Sequence, residues 1–209
     1  MTNNLCVILG DQLSSNISSL KNFKKNEDKI LMMEVTNEAT YANHHKKKLV
    51  LVFSAMRHFA QELQNNGFSV VYSKIGDSQN NFTKELAKQC KKLQPKKIIV
   101  THPGEYRVLQ EIKKWEKELK IPVSIVDDER FFCSIDEFKQ WAGSKKELRM
   151  ELFYQMMRKK HHILIDKDGK PKGGKWNYDV KNRKSLPKNH PKIPKPLEHK
   201  PDNITKQVI

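Results

Sequence analysis

The sequence predicts an α/β fold: a doubly wound, five-stranded parallel sheet with helices on both faces, followed by an extended basic C-terminal arm. Three observations predict it. Five short apolar runs alternate with longer amphipathic stretches, the runs are apolar throughout rather than every second residue, and the texture changes at Asp166. Strands buried on both faces read as continuous apolar runs, and alternation with helical segments marks crossover connections.

The runs are "NLCVILG" (4–10), "KILMMEV" (29–35), "FSVVYSK" (68–74), "KKIIVTH" (96–102) and "PVSIVDD" (122–128). Helical periodicity covers about 40–65, 81–93 and 105–119; in the last, Val108, Leu109, Ile112, Trp115 and Leu119 recur at three- and four-residue steps. Two more helical segments are expected at about 134–142 and 146–162. In a Rossmann-like sheet of this kind, ligands bind beyond the carboxyl ends of the strands, near the switch in strand order.

From Asp166 onward six of the nine prolines appear, with twelve Lys/Arg against five Asp/Glu and few large apolar residues. Such a segment does not build a core of its own. The expected organisation is therefore an α/β domain at 1–165 and a basic, Pro-rich linker or arm at 166–209.

The 209 residues suffice for an independently folding core. Forty Lys/Arg against 24 Asp/Glu give a net charge of +16, which fits either a polyanionic partner or a lysine-rich proteome. Cys6, Cys90 and Cys133 form neither a metal pattern nor a disulfide framework. With no signal-peptide layout and no apolar run near 18 residues, the expectation is a cytoplasmic protein with no membrane association.

The first strand ends in "LGDQLS". Gly10, Asp11, Gln12 and Ser14 stand where such a sheet presents its ligand loop, but the glycines of a GxGxxG fingerprint are lacking. A polar turn with Ser14 or Ser15 capping a short helix is the alternative. Strand two ends in Glu34, and Glu38 follows across a short loop. Glu34 closes an apolar run, where a carboxylate is costly to desolvate without a partner. If strands one and two are neighbours, Asp11, Gln12, Glu34 and Glu38 face one crevice. An acceptor-rich crevice suits a neutral heterocycle bearing N–H and ribityl hydroxyl groups and repels phosphate. Glu38 could equally serve the N-terminus of the next helix.

His44 and His45 are adjacent, so on a helix they point about 100° apart and do not share a metal. Lys46, Lys47 and Lys48, with Arg57, read as charged surface. In "THPGEYRV" (101–108), Glu105 is read first as a helix cap and second as crevice lining. In "GGKWNYDVKNR" (173–183), Lys175, Trp176, Tyr178, Lys181 and Arg183 interleave aromatic and basic groups. That pattern fits a nucleic-acid contact, or an interdomain contact with Trp176 docking the arm.

Five strings in order, "LGDQLS", "EVTNEATYANHHKKKLVLVFSAMRHFA", "THPGEYRV", "MELFYQMMRKK" and "GGKWNYDVKNR", resemble the deoxyribodipyrimidine photolyase-related proteins, the iron–sulfur bacterial (6-4) photolyases and cryptochromes. The resemblance spans about residues 4–184. It implies a photolyase N-terminal domain-like fold that holds 6,7-dimethyl-8-ribityllumazine as antenna chromophore, with Gly10, Asp11, Gln12, Glu34 and Glu38 at the pocket and Tyr41 nearby. Glu38 would accept a hydrogen bond from the lumazine ring. It also implies FAD and a [4Fe-4S] cluster in a large helical domain whose residues are missing from this sequence. No catalytic or metal role is therefore carried onto any residue here, and this chain alone is not expected to be active. The implied partners are UV-damaged DNA, met through the full-length protein, and that FAD-binding domain; the chain is expected to be a monomer. Two rivals are a basic nucleic-acid-binding module without chromophore and a Rossmann-like small-molecule enzyme using its carboxylates for acid/base work. No nucleophile–base pair supports the latter.

Overall fold

The computed structural model describes residues 2–183 and 185–209, with the side chains of Val180 and Lys181 outside the described residues. Five parallel strands form one sheet: β1 (Asn4–Ile8), β2 (Lys29–Met33), β3 (Val70–Ser73), β4 (Lys97–Thr101) and β5 (Val123–Val126), in the order β3-β2-β1-β4-β5. The expected Rossmann-like fold is thus present. Each expected strand is found, shorter by two or three residues in all. The register pairs Cys6 with Ile30 on one side and with Ile99 on the other.

Side chains alternate between the two faces of a strand. Leu5, Val7, Leu31, Met33, Ile98 and Val100 bury one face against α3 (Phe82–Leu93) and α4 (Tyr106–Leu119), through Leu86, Ile112 and Trp115. Cys6, Ile8, Ile30 and Met32 bury the other against α2 (Lys46–Asn65), through Phe53, Met56, Phe59 and Leu63. Burial on both faces is why the runs carry no polar alternation. Cys6 and Cys90 are free, buried thiols, pushed up to about 12 and about 11 by burial, with Asp28 adding to the effect at Cys6.

The helix expected over about 40–65 begins at Lys46, as α2, and a separate five-residue α1 (Thr36–Thr40) that was not expected precedes it. The interruption at 41–45 has a local cause. His45 is extended (φ −64°, ψ 136°), and its Nδ1 accepts the Lys47 N–H at 3.1 Å, capping α2. A ring nitrogen committed to that cap is not a metal ligand. Ser14 and Ser15 cap no helix: the turn at Ser18–Leu20 starts from Ile17, without a side-chain cap bond.

The described residues divide into two compact units, 2–130 with 200–209, and 131–199. The second unit contains α5 (Ile135–Ala142) and α6 (Met150–Lys160), joined by a cluster of Phe138, Trp141 and Phe153. Within it, Arg158 is buried and donates to the carbonyls of Ile163 and Trp176 at 3.1 and 3.4 Å, its guanidinium lying 5.2 Å from the Trp176 ring centre. Among the described residues no helix is long and apolar enough to cross a membrane.

The C-terminal end also forms a helix with no counterpart among the expected ones. The final α7 (Asn203–Val208), capped by Asp202, packs on α2 within the first unit. His58 on α2 has Nε2 2.6 Å from Asp202 Oδ2 and Nδ1 2.7 Å from the Ser54 carbonyl. Both ring nitrogens face acceptors, an arrangement that favours the doubly protonated ring. The Asp202 hydrogen bond, then that to Ser54, raises the imidazole above its usual pKa. A raised pKa gives stability that is complete below the undocked value, about 6.5, and is lost as pH climbs through the docked one. Amide exchange in α7, corrected for intrinsic rates, is expected to accelerate between pH 6 and pH 8.5. The His58→Gln variant is expected to remove that dependence.

Candidate functional site

Parallel strand order reverses between β1 and β4: the chain leaves β1 toward β2 on one side and returns through β4 on the other. Beyond the carboxyl ends of these strands lies a cavity of about 330 Å³. Its floor is apolar, with Leu9, Met33, Val35, Val52, Met56 and Phe82; its rim carries Asp11, Glu38, Tyr41, His44, Lys48 and Glu105.

Two close approaches shape the cavity. At Gly10 a Cβ would lie 3.1 Å from Met56 Sδ, so any side chain there would push the Met56 side chain of α2 back by a few tenths of an ångström. At Gly104 a Cβ would lie 3.3 Å from Asp11 Oδ2. The Asp11 carbonyl is held by Arg130 Nη1 at 3.0 Å, and Arg130 is itself anchored by Asp128.

Of the six residues expected at the pocket, the structure gathers Gly10, Asp11, Glu38 and Tyr41 around the cavity; Gln12 and Glu34 do not line it. Gln12 is fully buried. Its amide donates to the carbonyls of Thr101 and His102 at 3.0 and 3.4 Å, and its Oε1 accepts the Leu9 N–H at 3.3 Å. It therefore ties the β1 loop to the end of β4 beneath the cavity.

Glu34 is buried in a saturated network. Arg57 donates Nε and Nη2 to its two oxygens at 2.6 and 2.8 Å, Tyr72 Oη donates at 2.6 Å and the Ile75 N–H at 2.9 Å. Burial alone would raise its carboxyl. The hydrogen bonds from Arg57, Ile75 and Tyr72 outweigh that and hold it below the usual carboxylate range. Arg57, expected on the charged surface, is instead the partner that makes this buried carboxylate possible, and its side chain is only 10% exposed.

The rim also differs from expectation. Glu105 stands at the N-cap position of α4 but makes no side-chain cap bond; it lines the cavity. Arg107, which sequence patterns did not single out, donates to both oxygens of Glu38 at 2.8 Å each and to Glu105 at 3.0 Å. The Glu38 hydrogen bond is the main reason that its guanidinium pKa is raised. Tyr41 Oη reaches Glu105 at 3.5 Å, and Lys48 Nζ lies 3.2 Å from His44 Nδ1. Lys48 is exposed, as expected, and stands at the rim. Among the described residues, no group of three or more His, Cys, Asp or Glu could hold a metal ion.

In the second unit, Trp176 stacks near Arg158 and Lys159, Tyr178 Oη donates to the Gly173 carbonyl at 2.6 Å, and Arg183 pairs with Asp179. Lys175 is exposed. These four lie in the other unit.

Sheet, switch point and crossover helices define a doubly wound α/β domain with a lined cavity at its strand ends. The family described as deoxyribodipyrimidine photo-lyase-related protein matches residues 6–209, and the chain belongs to it. A (6-4) photolyase of Agrobacterium fabrum is 44% identical over 209 residues, covering 98% of this chain and 40% of the relative. The chain thus spans about two-fifths of that relative's length. An uncharacterised protein of Acanthamoeba polyphaga mimivirus is 26% identical over 144 residues, which are 67% of this chain and 71% of that protein.

Because Glu34 is buried and hydrogen-bonded, Glu34→Ala leaves Arg57 and Tyr72 without their acceptor. An expected loss of about 3–5 kcal/mol would be read from urea unfolding at pH 7. A depressed carboxyl pKa gives stability present above the unfolded value, about 4.3, and lost as pH falls through the folded one. The difference between wild type and variant is therefore expected to shrink below about pH 4.

Proposed function

We propose that this chain is the light-harvesting antenna portion of a (6-4) photolyase-like DNA-repair flavoprotein, with 6,7-dimethyl-8-ribityllumazine in the cavity at the β1/β4 switch. The observation that carries the proposal is the lining of that cavity, an apolar floor under a carboxylate-bearing rim. Its volume lies within the about 300–1,000 Å³ typical of small-molecule sites.

The residues fit such a ligand. Leu9, Met33, Val35, Val52 and Phe82 offer apolar surface to a flat ring and exclude water from it. Asp11, Glu38 and Glu105 offer acceptors for ring N–H and ribityl hydroxyl groups. Both Glu38 oxygens already accept from Arg107. A carboxylate has about four acceptor positions, so free ones remain. Three carboxylates at the rim disfavour a phosphate-bearing ligand.

Bound there, the lumazine would absorb blue or near-UV light and supply excitation energy to reduced FAD. FAD and the [4Fe-4S] cluster would be held by the remainder of the full-length protein, which would also meet the UV-damaged DNA. The work of residues 1–165 is then positional: strand ends and helix termini fix the chromophore's orientation and keep it dry. The Pro-rich 166–209 arm would lead toward the FAD-binding part.

Titration of the purified chain with ribityllumazine, followed by the shift and quenching of its absorption and emission, tests the proposal. Stoichiometric uptake is expected, and Glu38→Ala is expected to weaken it by about tenfold or more, the worth of one hydrogen bond to a charged group. Absence of uptake alongside tight, salt-sensitive DNA binding would instead favour the nucleic-acid module.

A further inference from the structure

α1 is five residues long, has no side-chain N-cap bond and fully buries none of its side chains; only Ala39 is partly buried against the core. A helix this short does not hold itself in water. Yet it carries Glu38, and Tyr41 follows directly, so two rim groups depend on something that fixes this segment. Its backbone ties include the Asn37 N–H to the Asn80 carbonyl at 2.9 Å.

The stronger tie comes from across the crevice. α1 follows β2, and α4 follows β4, on opposite sides of β1. Arg107, in the first turn of α4, reaches over this gap. Nη1 and Nη2 take one Glu38 oxygen each at 2.8 Å, Nη2 also reaches Glu105 at 3.0 Å, and Cζ lies 4.5 Å from the centre of the Tyr41 ring. A planar fork holding both carboxylate oxygens fixes the plane of the carboxylate, and a face-on contact fixes the ring beside it. A lysine would supply the charge without either constraint.

We infer that Arg107 is the positioning residue of the cavity. It acts through Glu38 and Tyr41, setting the free acceptor sites of one and the ring plane of the other toward the ligand. This rests on the lumazine proposal for what is bound, but the positioning is a property of the ligand-free protein.

The test has two arms. Hydrogen exchange of the ligand-free protein is compared for wild type, Arg107→Gln and Arg107→Lys. Faster exchange confined to about residues 36–44 is expected in both variants, with the sheet unchanged. Unchanged exchange in that segment, or acceleration throughout the sheet, would overturn the inference. In the second arm, lumazine affinity is measured for wild type, both Arg107 variants, Glu38→Gln and the double variant Arg107→Gln/Glu38→Gln. Arg107→Gln is expected to bind about tenfold more weakly, Arg107→Lys to be poorly rescued, and the double variant to lose clearly less than the two single losses added together. Full rescue by lysine would make Arg107 a charge only, and additive losses would mean that it does not act through Glu38; either result overturns the inference. If wild type takes up no lumazine, the proposal for the cavity fails, and the exchange arm still decides whether Arg107 holds the segment.

Discussion

The cavity depends on how two parallel strands are held together after their ladder ends. β1 and β4 are neighbours, and beyond Ile8 and Thr101 their chains part toward different helices. That divergence opens the crevice, and it also strands backbone groups in a dry place. The Gln12 side chain replaces the missing rungs, donating to Thr101 and His102 and accepting from Leu9. A buried polar group left unpaired costs about 1–3 kcal/mol, so a single glutamine closes the floor where several groups would otherwise go unsatisfied. Gly10 and Gly104 then bring α2 and the β4 loop close on either side.

A second constraint separates the roles of the carboxylates. Glu34 and Glu38 are four residues apart, yet one is buried and saturated while the other stands at an open rim. Glu34 fixes the end of β2 to α2 and to the loop after β3. Glu38 keeps unfilled acceptor sites next to the cavity. The first is architecture that makes the second useful, because α1 begins only two residues beyond Glu34.

Much of this was legible in the sequence. Continuous apolar runs marked all five strands, since burial on both faces leaves no polar alternation. The need for a partner at Glu34 was legible as well, because a carboxylate closing such a run must be neutralised. The partner was legible in principle. Arg57 shares the helical stripe of Phe53, Met56 and Ala60, where an arginine is out of place unless it meets a buried acid. Arg107 left no such trace. Its significance depends on where α1 stands across the crevice, and no local spacing encodes that distance. α7 was hidden for a different reason: six mostly polar residues after a Pro-rich stretch form a helix because Asp202 caps them and Val208 packs on the α2 face of the core.

The central claim is that the switch-point cavity, rather than any other surface, takes the chromophore. Backbone amide NMR with added ribityllumazine tests it most directly. The account predicts saturable shifts centred on Gly10, Val35, Glu38, Tyr41 and Glu105. Shifts centred instead on the groove of Arg57, Lys74 and Gln207, or on residues 173–183, would contradict it.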